Sequence, residues 1–239
     1  MYHDIAEDII QQINNHVYTD KLPSEAKLTD HYSVSRNTVR KAIDEVCQQG
    51  LLRRIKGSGY FVNQITIDDE VPVVNLSLGA GKAMKAINAN LTSKVLIFEV
   101  TTADQFQAEH LHIEIGEPLT HILRLRKLDG TNYCLEDSYY LKSQIPQITV
   151  KDAEKSIFSA IKRDYNLTVN SAENYVKVAN LTEQELALTG ITTTETLLAL
   201  TQINYHGNNI AFVISTTKFF DRNFNLYFHS SQTFGGETK

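Results

Sequence analysis

Residues 22–62 constrain the fold more than any other stretch, because they combine two helix starts, a turn and a glycine-tipped hairpin in a fixed order. Pro23 and Ser24 begin the first helix, which is predicted to run to about Tyr32, since serine is a preferred N-cap residue. Ser35 is the predicted N-cap of a second helix, with its hydroxyl accepting from the amide of Thr38. This order predicts a helix-turn-helix followed by a β-hairpin.

The second of these helices is predicted to be amphipathic. Its apolar side chains recur at spacings of three and four residues and form one stripe: Val39, Ala42, Ile43 and Val46. Gly50 stands where a left-handed C-cap is expected. The opposite face is polar and basic near its N-terminal end, with Arg36, Asn37, Arg40 and Lys41. A helix that enters the major groove of DNA presents such side chains to bases and phosphates.

The predicted hairpin pairs residues 51–55 with residues 60–62 around a tip at 56–59. Two glycines in the tip let the backbone turn tightly and approach a phosphate or the minor groove closely. Arg53, Arg54 and Lys56 place positive charge beside this tip. The pattern therefore predicts a wing that adds DNA contacts to those of the helix.

Local charge favours DNA over a solvated charged helix with an ordinary hairpin. Residues 33–62 contain six Lys/Arg and two acidic residues, a net charge of +4, whereas the whole chain carries −5. A basic patch within an acidic protein is typical of a nucleic-acid-binding surface. The first 62 residues contain eight basic and eight acidic side chains, so the negative charge lies in the remainder, which is predicted not to contact DNA.

The motifs in this region resemble the winged helix-turn-helix of GntR-type bacterial transcription regulators. They are Leu22-Pro23-Ser24-Glu25, Val34-Ser35-Arg36-Asn37-Thr38-Val39-Arg40, Gly50-Leu51-Leu52 and Gly57-Ser58-Gly59. The resemblance implies operator contacts from Ser35, Arg36, Thr38 and Arg40, and minor-groove entry of Gly57 and its neighbours. Many members have an arginine directly after Pro-Ser-Glu, where this chain has Ala26. The predicted DNA-binding residues are Ser35, Arg36, Asn37, Thr38, Arg40, Arg54, Lys56 and Gly57.

A length of 239 residues suits two domains. The predicted division is a winged helix-turn-helix at 1–63, a linker at 64–75 that contains Pro72 and an acidic run, and a second domain at 76–236. An amphipathic first helix with Ile5, Ile9, Ile13 and Val17 is predicted to pack under the other two. No apolar run is long enough for a membrane span, and no signal peptide is predicted. Two cysteines are predicted to be reduced thiols of a cytoplasmic protein.

The second half alternates strands and helices. Strands are predicted at 95–101, 119–128, 133–141, 169–179, 197–206, 210–219 and 225–230, and helices at 103–111, 154–165 and 182–188. Hairpin connections imply antiparallel pairing and an α+β fold. No glycine-rich phosphate loop follows a strand, so a nucleotide-binding fold has no support.

This half resembles the UTRA effector-binding domain of the HutC branch of GntR regulators, over about residues 76–230. The motifs are Val95-Leu96, Ala108 with Leu111, Gly116-Glu117-Pro118-Leu119, Arg124-Leu125-Arg126, Asp129-Gly130, Leu135-Glu136, Tyr139-Tyr140-Leu141, Gly190-Ile191 and Asp221-Arg222. The resemblance implies a C-terminal antiparallel sheet with a chorismate-lyase-like fold that binds a small molecule.

Arg124 and Arg126 lie two residues apart in a predicted strand and therefore point to the same face. Burying two guanidinium groups is expensive without an anion, and a phosphate can satisfy both through bidentate hydrogen bonds. Whether Glu136 joins them depends on the hairpin loop. A three-residue loop, with Gly130 in a left-handed bulge position, places Glu136 on the face of the arginines, and we predict that bulge.

Similar UTRA domains that bind phosphosugars use these arginines and this glutamate, plus a serine that opens a helix. Ser156, two residues into the predicted helix at 154–165, matches that serine, and a helix N-terminus is a natural anion site. The predicted effector-binding residues are Arg124, Arg126, Glu136 and Ser156. The alternative is a structural ion-pair cluster. Similar sugar-phosphate binders often carry a glutamate near Phe212 and Val213, where this chain is apolar.

The resulting hypothesis is a homodimeric transcription regulator that acts as a repressor on a near-palindromic double-stranded operator and is released by a sugar phosphate or related anion. A regulator with an unphosphorylated effector and an enzyme domain fused to a DNA anchor are the alternatives. No cofactor is predicted. A metal site is not predicted either, because the histidines at 110, 112, 206 and 229 do not form a converging set of ligands.

Overall fold

The computed structural model describes residues 1–63, 73–75, 90–193, 195–220 and 225–227. The chain divides into two compact units, one formed by Met1–Asn88 with Asn223–Lys239 and the other by Ala89–Arg222. The predicted domain limits at 63, 75 and 236 stay predictions, because most residues around the last two lie outside the described ranges.

Three helices and a hairpin form the described core of the first unit. Their bounds are α1 Tyr2–Asn14, α2 Glu25–Tyr32, α3 Arg36–Gln48, β1 Leu52–Ile55 and β2 Gly59–Val62. The helices pack around one apolar cluster that includes the predicted stripe of α3 together with Ile5, Ile9, Ile13, Leu28 and Tyr60. The helix-turn-helix with a wing is therefore present as predicted.

The predicted caps form. Ser24 accepts a hydrogen bond from the Lys27 amide at 3.4 Å, and Ser35 accepts one from the Thr38 amide at 3.2 Å. Gly50 has a φ of 72°, the left-handed conformation expected after α3. The prediction for Val17 was wrong, because α1 ends at Asn14 and the Val17 side chain is exposed.

The wing has a third short partner that the sequence did not indicate. An isolated antiparallel bridge joins Lys21 to Phe61. The Leu22 amide donates to the Tyr60 carbonyl at 2.9 Å, and the Val62 amide donates to the Asp20 carbonyl at 2.8 Å. These bonds fix the wing to the chain that leads into α2.

Two short strands complete the described part of the first unit. Strand β3, Val73–Asn75, pairs in parallel with β10, Asn225–Tyr227. The Tyr227 hydroxyl donates to the Gly50 carbonyl at 2.8 Å. At residues 73–75, the described end of the predicted linker, pairing with β10 orders the backbone. Residues 228–230 of the last predicted strand lie outside the described residues.

A six-stranded antiparallel sheet forms the second unit, in the order β4-β5-β6-β9-β8-β7. The strands are β4 Leu91–Thr102, β5 Pro118–Leu128, β6 Thr131–Leu141, β7 Ser171–Ala179, β8 Leu197–His206 and β9 Ile210–Phe219. Helices and an antiparallel sheet confirm the predicted α+β class.

Helices cover both faces of this sheet: α4 Gln105–Leu111, α5 Val150–Glu154, α6 Ile157–Tyr165 and α7 Glu183–Thr189. Ile122 and Tyr140 pack with Ala153, Ile157 and Ile161, which places α5 and α6 on one face. The side chain next to Ile122 in β5, Leu123, points the other way and belongs to the cluster that Leu186 of α7 joins. Residues of α4 pack with Leu119 and Ile203 on that second face.

One predicted helix is two helices. Residues 154–165 were predicted to be continuous, but α5 ends at Glu154 and α6 begins at Ile157. Thr149 starts the first helix early through a capping box with Asp152. Ser156 then starts the second by accepting from the Ser159 amide at 3.4 Å, and a capping serine has extended rather than helical backbone angles.

Within the described ranges, no helix is long and apolar enough to cross a membrane.

Candidate functional site

The first candidate site is the exposed face of α3. Arg36, Asn37 and Arg40 are exposed there, as predicted, beside the buried Val39. Ser35 and Thr38 also lie at this end, but their hydroxyl oxygens are 2.8 Å apart and Ser35 caps the helix. Their first structural role is therefore to hold the N-terminal turn that carries the two arginines.

Glu25 positions one of these arginines, and the sequence did not indicate it. Arg40 Nε donates to Glu25 Oε2 at 2.8 Å. The Tyr60 hydroxyl, which belongs to the wing, donates to Glu25 Oε1 at 3.2 Å. Within the described residues, Nε is the only Arg40 atom with a hydrogen bond, so its two terminal nitrogens keep the planar edge that pairs with a base or a phosphate. Glu25 thus joins α2, α3 and the wing around the Arg40 side chain.

The wing tip is exposed at Lys56 and Gly57. Gly57 has a φ of +78°, and a Cβ built there meets nothing within 4 Å. Space is therefore open, but an L side chain would be strained in that conformation. Arg53 is engaged by the Val62 carbonyl and Asn63 Oδ1, both at 3.0 Å, whereas Arg54 stays exposed with its guanidinium carbon 5.8 Å from the Tyr60 ring centre.

The second candidate site is a buried ionic cluster on the α5/α6 face of the sheet. Arg124 Nη2 donates to Glu136 Oε1 at 2.5 Å, and Arg126 Nη1 donates to Glu136 Oε2 at 2.9 Å. The three residues are only 4%, 8% and 8% exposed. Arg124 Nη1 also donates to the Ala153 carbonyl, at the end of α5, at 2.8 Å. The structure therefore brings together three of the four predicted effector residues.

The β5–β6 hairpin places Glu136 on the same face as the arginines, but its loop and its bulge differ from those predicted. Arg124 lies directly opposite Glu136, so their side chains share a face as expected. The loop has only two residues, Asp129 and Gly130, both left-handed with φ of 49° and 87°. The pairing shifts by one residue between Arg126 and Lys127, where β6 carries the extra residue. The predicted three-residue loop with the bulge at Gly130 was wrong, because a two-residue turn of this type fits the strand twist and the bulge moves into β6.

Polar side chains extend the cluster along the same face. Ser138 donates to Glu136 Oε1 at 3.3 Å. Ser215 and Thr217 of β9 lie directly opposite Ser138 and Glu136 in the sheet and therefore point to the same side. These three residues were not predicted. Their neighbours Asp137, Thr216 and Lys218 are also polar, so the sequence has no apolar-polar alternation there that could have singled them out.

Charge within the cluster is unbalanced. Two guanidinium groups share one carboxylate, so the three side chains carry a net charge of about +1. The Nε atoms of both arginines are buried without a hydrogen-bond partner in the described structure. Leaving a buried donor unsatisfied costs about 1–3 kcal/mol each. The surplus positive charge and the unsatisfied donors distinguish this cluster from a balanced structural ion pair. An anion with several acceptor oxygens can offset both.

Acid is expected to weaken the second unit through Glu136. Burial alone would raise the pKa of this carboxyl, but Arg124 and Arg126 lower it from 4.5 to about 2. A carboxyl with a depressed folded pKa stabilises the fold fully above its unfolded pKa, and this stabilisation is lost as the pH falls through the folded pKa. Urea unfolding from about pH 6 to pH 3 should therefore show a shallower loss of stability for Glu136→Gln than for the unsubstituted protein. Equal pH slopes for the two proteins would contradict the lowered pKa of Glu136.

Ser156 lies at the start of α6, but its described hydrogen bonds are local. Its hydroxyl donates to Ser159 Oγ at 2.9 Å and accepts from the Ser159 amide. None of the hydrogen bonds in the described part of the chain joins it to Arg124 or Arg126. Ser156 is linked to the cluster through the chain, because Ala153, whose carbonyl accepts from Arg124, lies three residues before it. Phe212 and Val213 are buried in the apolar cluster beneath α6.

A second buried ion pair lies on the opposite face. Lys218 Nζ of β9 donates to Glu185 Oε1 at 2.8 Å and to Oε2 at 2.5 Å. Glu185 belongs to α7 and also accepts from the Thr182 amide at 2.6 Å. This pair is balanced, with one cation and one anion, and it fixes α7 to the sheet. It provides a structural counterpart to the unbalanced arginine cluster.

Histidines do not gather into a site in the described residues, where no group of three or more His, Cys, Asp or Glu has an arrangement suited to a metal. His206 hydrogen-bonds Gln144 at 3.0 Å. His229 lies outside the described residues, so the absence of a metal site stays a prediction.

A capped, basic α3 exposed beside a wing, together with a separate α+β unit, defines a DNA-binding transcription regulator with a ligand-binding type of second domain. The family model described as bacterial regulatory proteins, gntR family, matches residues 1–62, and the UTRA domain model matches residues 86–219. The chain belongs to the GntR family of regulators, in the branch that carries a UTRA domain.

Similar proteins include several bacterial regulators. The uncharacterized regulator YydK of Bacillus subtilis (strain 168) is 29% identical over 192 residues, 80% of each chain, and its crystal structure matches with a TM-score of 0.82 over 96% of this chain and 100% of that one. The regulator GmuR of the same organism is 29% identical over 91% of this chain and 92% of its own. The mannosyl-D-glycerate transport/metabolism system repressor MngR of Escherichia coli (strain K12) is 26% identical over 92% and 91%. These relatives are transcriptional regulators and not enzymes, as was predicted for this chain.

Proposed function

We propose that this regulator represses transcription by binding a near-palindromic operator as a homodimer in the cytoplasm. The exposed N-terminal end of α3 enters the major groove with Arg36, Asn37 and Arg40, and the wing tip at Gly57 approaches the minor groove with Lys56 and Arg54 beside it. Ser35 and Thr38 hold the first turn through their mutual hydrogen bonds, and the helix N-terminus at these two residues favours a phosphate. Two α3 helices in one dimer meet successive major grooves, which requires two half-sites about one helical turn apart.

The effector proposed is a small anion, most consistent with a sugar phosphate. One observation carries this proposal: two buried arginines share a single carboxylate and keep unsatisfied donors. Phosphate oxygens are strong acceptors with the geometry that guanidinium groups pair with bidentately. Glu136 would then fix the arginines in position, and it can also accept a sugar hydroxyl.

Ser156 is proposed as a further ligand contact. Its hydroxyl and the first amides of α6 form a helix N-terminus, which favours an anion. The Ala153 carbonyl holds Arg124 only three residues away in the chain. Effector binding would then rearrange the α5–α6 break and alter the spacing or mobility of the two DNA-binding heads, which lowers operator affinity.

A second candidate effector is an unphosphorylated sugar acid. The relative MngR is named as the repressor of a mannosyl-D-glycerate system. Glycerate carries a carboxylate, and a carboxylate can also pair with a guanidinium group bidentately. The same cluster therefore suits either anion.

Thermal melting is the first test of the proposed effector site. Sugars with and without a 6-phosphate, together with sugar acids such as mannosyl-D-glycerate, are added to the full-length protein. A ligand at about a hundred times its dissociation constant adds roughly 2.7 kcal/mol to stability and visibly raises Tm. We expect phosphorylated compounds to raise Tm and Arg124→Ala to abolish the shift.

Lys94→Ala is the matched control, because it removes an exposed positive charge from the sheet face opposite the cluster, where Lys94 lies across from Leu125. It should keep the full ligand response, and the best compound should release operator DNA from this control but not from Arg124→Ala. If only sugar acids raise Tm, the ligand group that binds the arginine cluster is a carboxylate and not a phosphate. A response that Arg124→Ala leaves intact would show that the arginine cluster is structural.

A further inference from the structure

Strand β7, Ser171–Ala179, forms one edge of the six-stranded sheet. Its only partner among the described strands is β8, from Ser171 opposite Tyr205 to Ala179 opposite Leu197. Every residue of β7 except Ala179 is exposed. An edge of nine residues presents a row of backbone donors and acceptors that can pair with another strand.

This edge is also apolar. Tyr175 is 50% exposed, Val176 50% and Val178 70%. Each of the other described helices and strands has no more than one large hydrophobic side chain that is exposed. Proteins normally protect a free edge by short length or by charge, so a long edge with three exposed apolar side chains suits an interface better than solvent.

Charges in β7 are arranged symmetrically. Glu173 and Lys177 stand two residues on either side of Tyr175, and all three point to the same face because strand side chains alternate. The Tyr175 hydroxyl donates to Glu173 Oε2 at 2.6 Å. Lys177 forms no ion pair with any residue in the described ranges. The strand is therefore self-complementary about Tyr175.

We propose that β7 pairs with β7 of a second copy of this chain, antiparallel and in register about a two-fold axis at Tyr175. Tyr175 then lies opposite its counterpart, and Glu173 of each copy lies opposite Lys177 of the other. This pairing joins two six-stranded sheets into one continuous sheet. The inference rests on the proposed homodimer and names the surface that forms it.

The register follows from charge and side-chain size. Pairing about Tyr175 makes two opposite-charge pairs per dimer, and each such cross-strand pair is favourable. It also sets Val176 opposite Asn174 and Val178 opposite Ala172, so Val176 and its counterpart are diagonal neighbours across the axis. A slip of one residue to either side separates Glu173 from Lys177 and moves the charged set away from its partner.

Charge exchange tests the surface in the full-length protein. Lys177→Glu places two like-charge pairs across the axis and is expected to raise the dimer dissociation constant by about tenfold or more, measured by sedimentation equilibrium. Glu173→Lys should do the same. The double variant Glu173→Lys with Lys177→Glu exchanges the charges and should restore most of the affinity. Lys94→Glu, on the other edge strand, makes the same charge change and should leave the dimer unaltered.

Cross-linking tests the register. In a Cys47→Ala background, Tyr175→Cys should form an intermolecular disulfide readily, whereas Val176→Cys should not, because its own counterpart lies diagonally across the axis. Equal cross-linking of the two variants overturns the register. A dimer whose dissociation constant is unchanged in Lys177→Glu overturns the β7 surface and leaves the dimeric regulator intact. A monomer at every concentration tested overturns both.

Discussion

Replacing Glu136 with alanine is expected to destabilise the second unit by about 3–5 kcal/mol. The variant leaves Arg124 and Arg126 buried without their shared carboxylate. Two uncompensated guanidinium groups in a low-dielectric interior repel each other and lose their strongest acceptor. Urea unfolding, followed by circular dichroism, measures this loss as a lower midpoint.

Inorganic phosphate is expected to restore much of this stability, because an anion can enter the space between the two arginines. The measurement compares phosphate with chloride at equal ionic strength, which removes general screening. Glu185→Ala is the matched control: it breaks the balanced pair with Lys218 on the other face and should destabilise similarly. Phosphate should rescue Glu136→Ala and not Glu185→Ala. Equal rescue of both variants would mean that phosphate acts generally and not at the arginine cluster.

The DNA-binding head was predictable because its signals are local. A serine N-cap bonds an amide three residues away, and the α3 stripe repeats within one helix, so both follow from adjacent residues. The Lys21–Phe61 bridge was not predictable in this way. It joins residues 40 positions apart, and a single exposed bridge leaves no periodic pattern in the sequence.

The second unit was predictable in class but not in register. Consecutive strand patterns joined by short turn signals indicate an antiparallel sheet, whereas the position of a bulge depends on how each strand packs against both neighbours. For this reason the face of Glu136 was predicted correctly and the bulge was placed at Gly130 instead of in β6. The break at Ser156 has a similar origin, since a serine inside a helical pattern can continue the helix or cap a new one, and packing decides.

Functional side chains that depend on tertiary contacts were the hardest to predict. Glu25 was part of a recognised motif, but its role in holding Arg40 requires that Tyr60 of the wing lie beside it. The Ala153 carbonyl became a partner of Arg124 only because α5 ends over β5. In both cases the sequence shows which side chains can form hydrogen bonds, but their partners are distant in the sequence and are brought close only by the tertiary fold.

Removing Arg36 is expected to weaken operator binding by about 2–6 kcal/mol, roughly 30-fold to 10⁴-fold, if each subunit of a dimer loses one bidentate base contact of about 1–3 kcal/mol. Arg36 is exposed in the first turn of α3, and the cap made by Ser35 fixes the direction of that turn. Alanine at this position should leave the fold intact, because Arg36 makes no contribution to the apolar cluster beneath α3. Fluorescence anisotropy with labelled operator measures the loss at several salt concentrations.

Arg36→Lys separates charge from geometry, since lysine keeps the positive charge and loses the planar fork. If Arg36 reads a base, the lysine variant should bind nearly as poorly as Arg36→Ala, discriminate less between operator and unrelated DNA, and keep the salt dependence of the unsubstituted protein. If Arg36 only contacts phosphate, lysine should restore affinity, and alanine should lower the salt slope by about two for a dimer. Lys94→Ala, which removes a positive charge from the second unit, should change neither quantity. Operator binding that survives Arg36→Ala unchanged would exclude the exposed end of α3 as the reading surface.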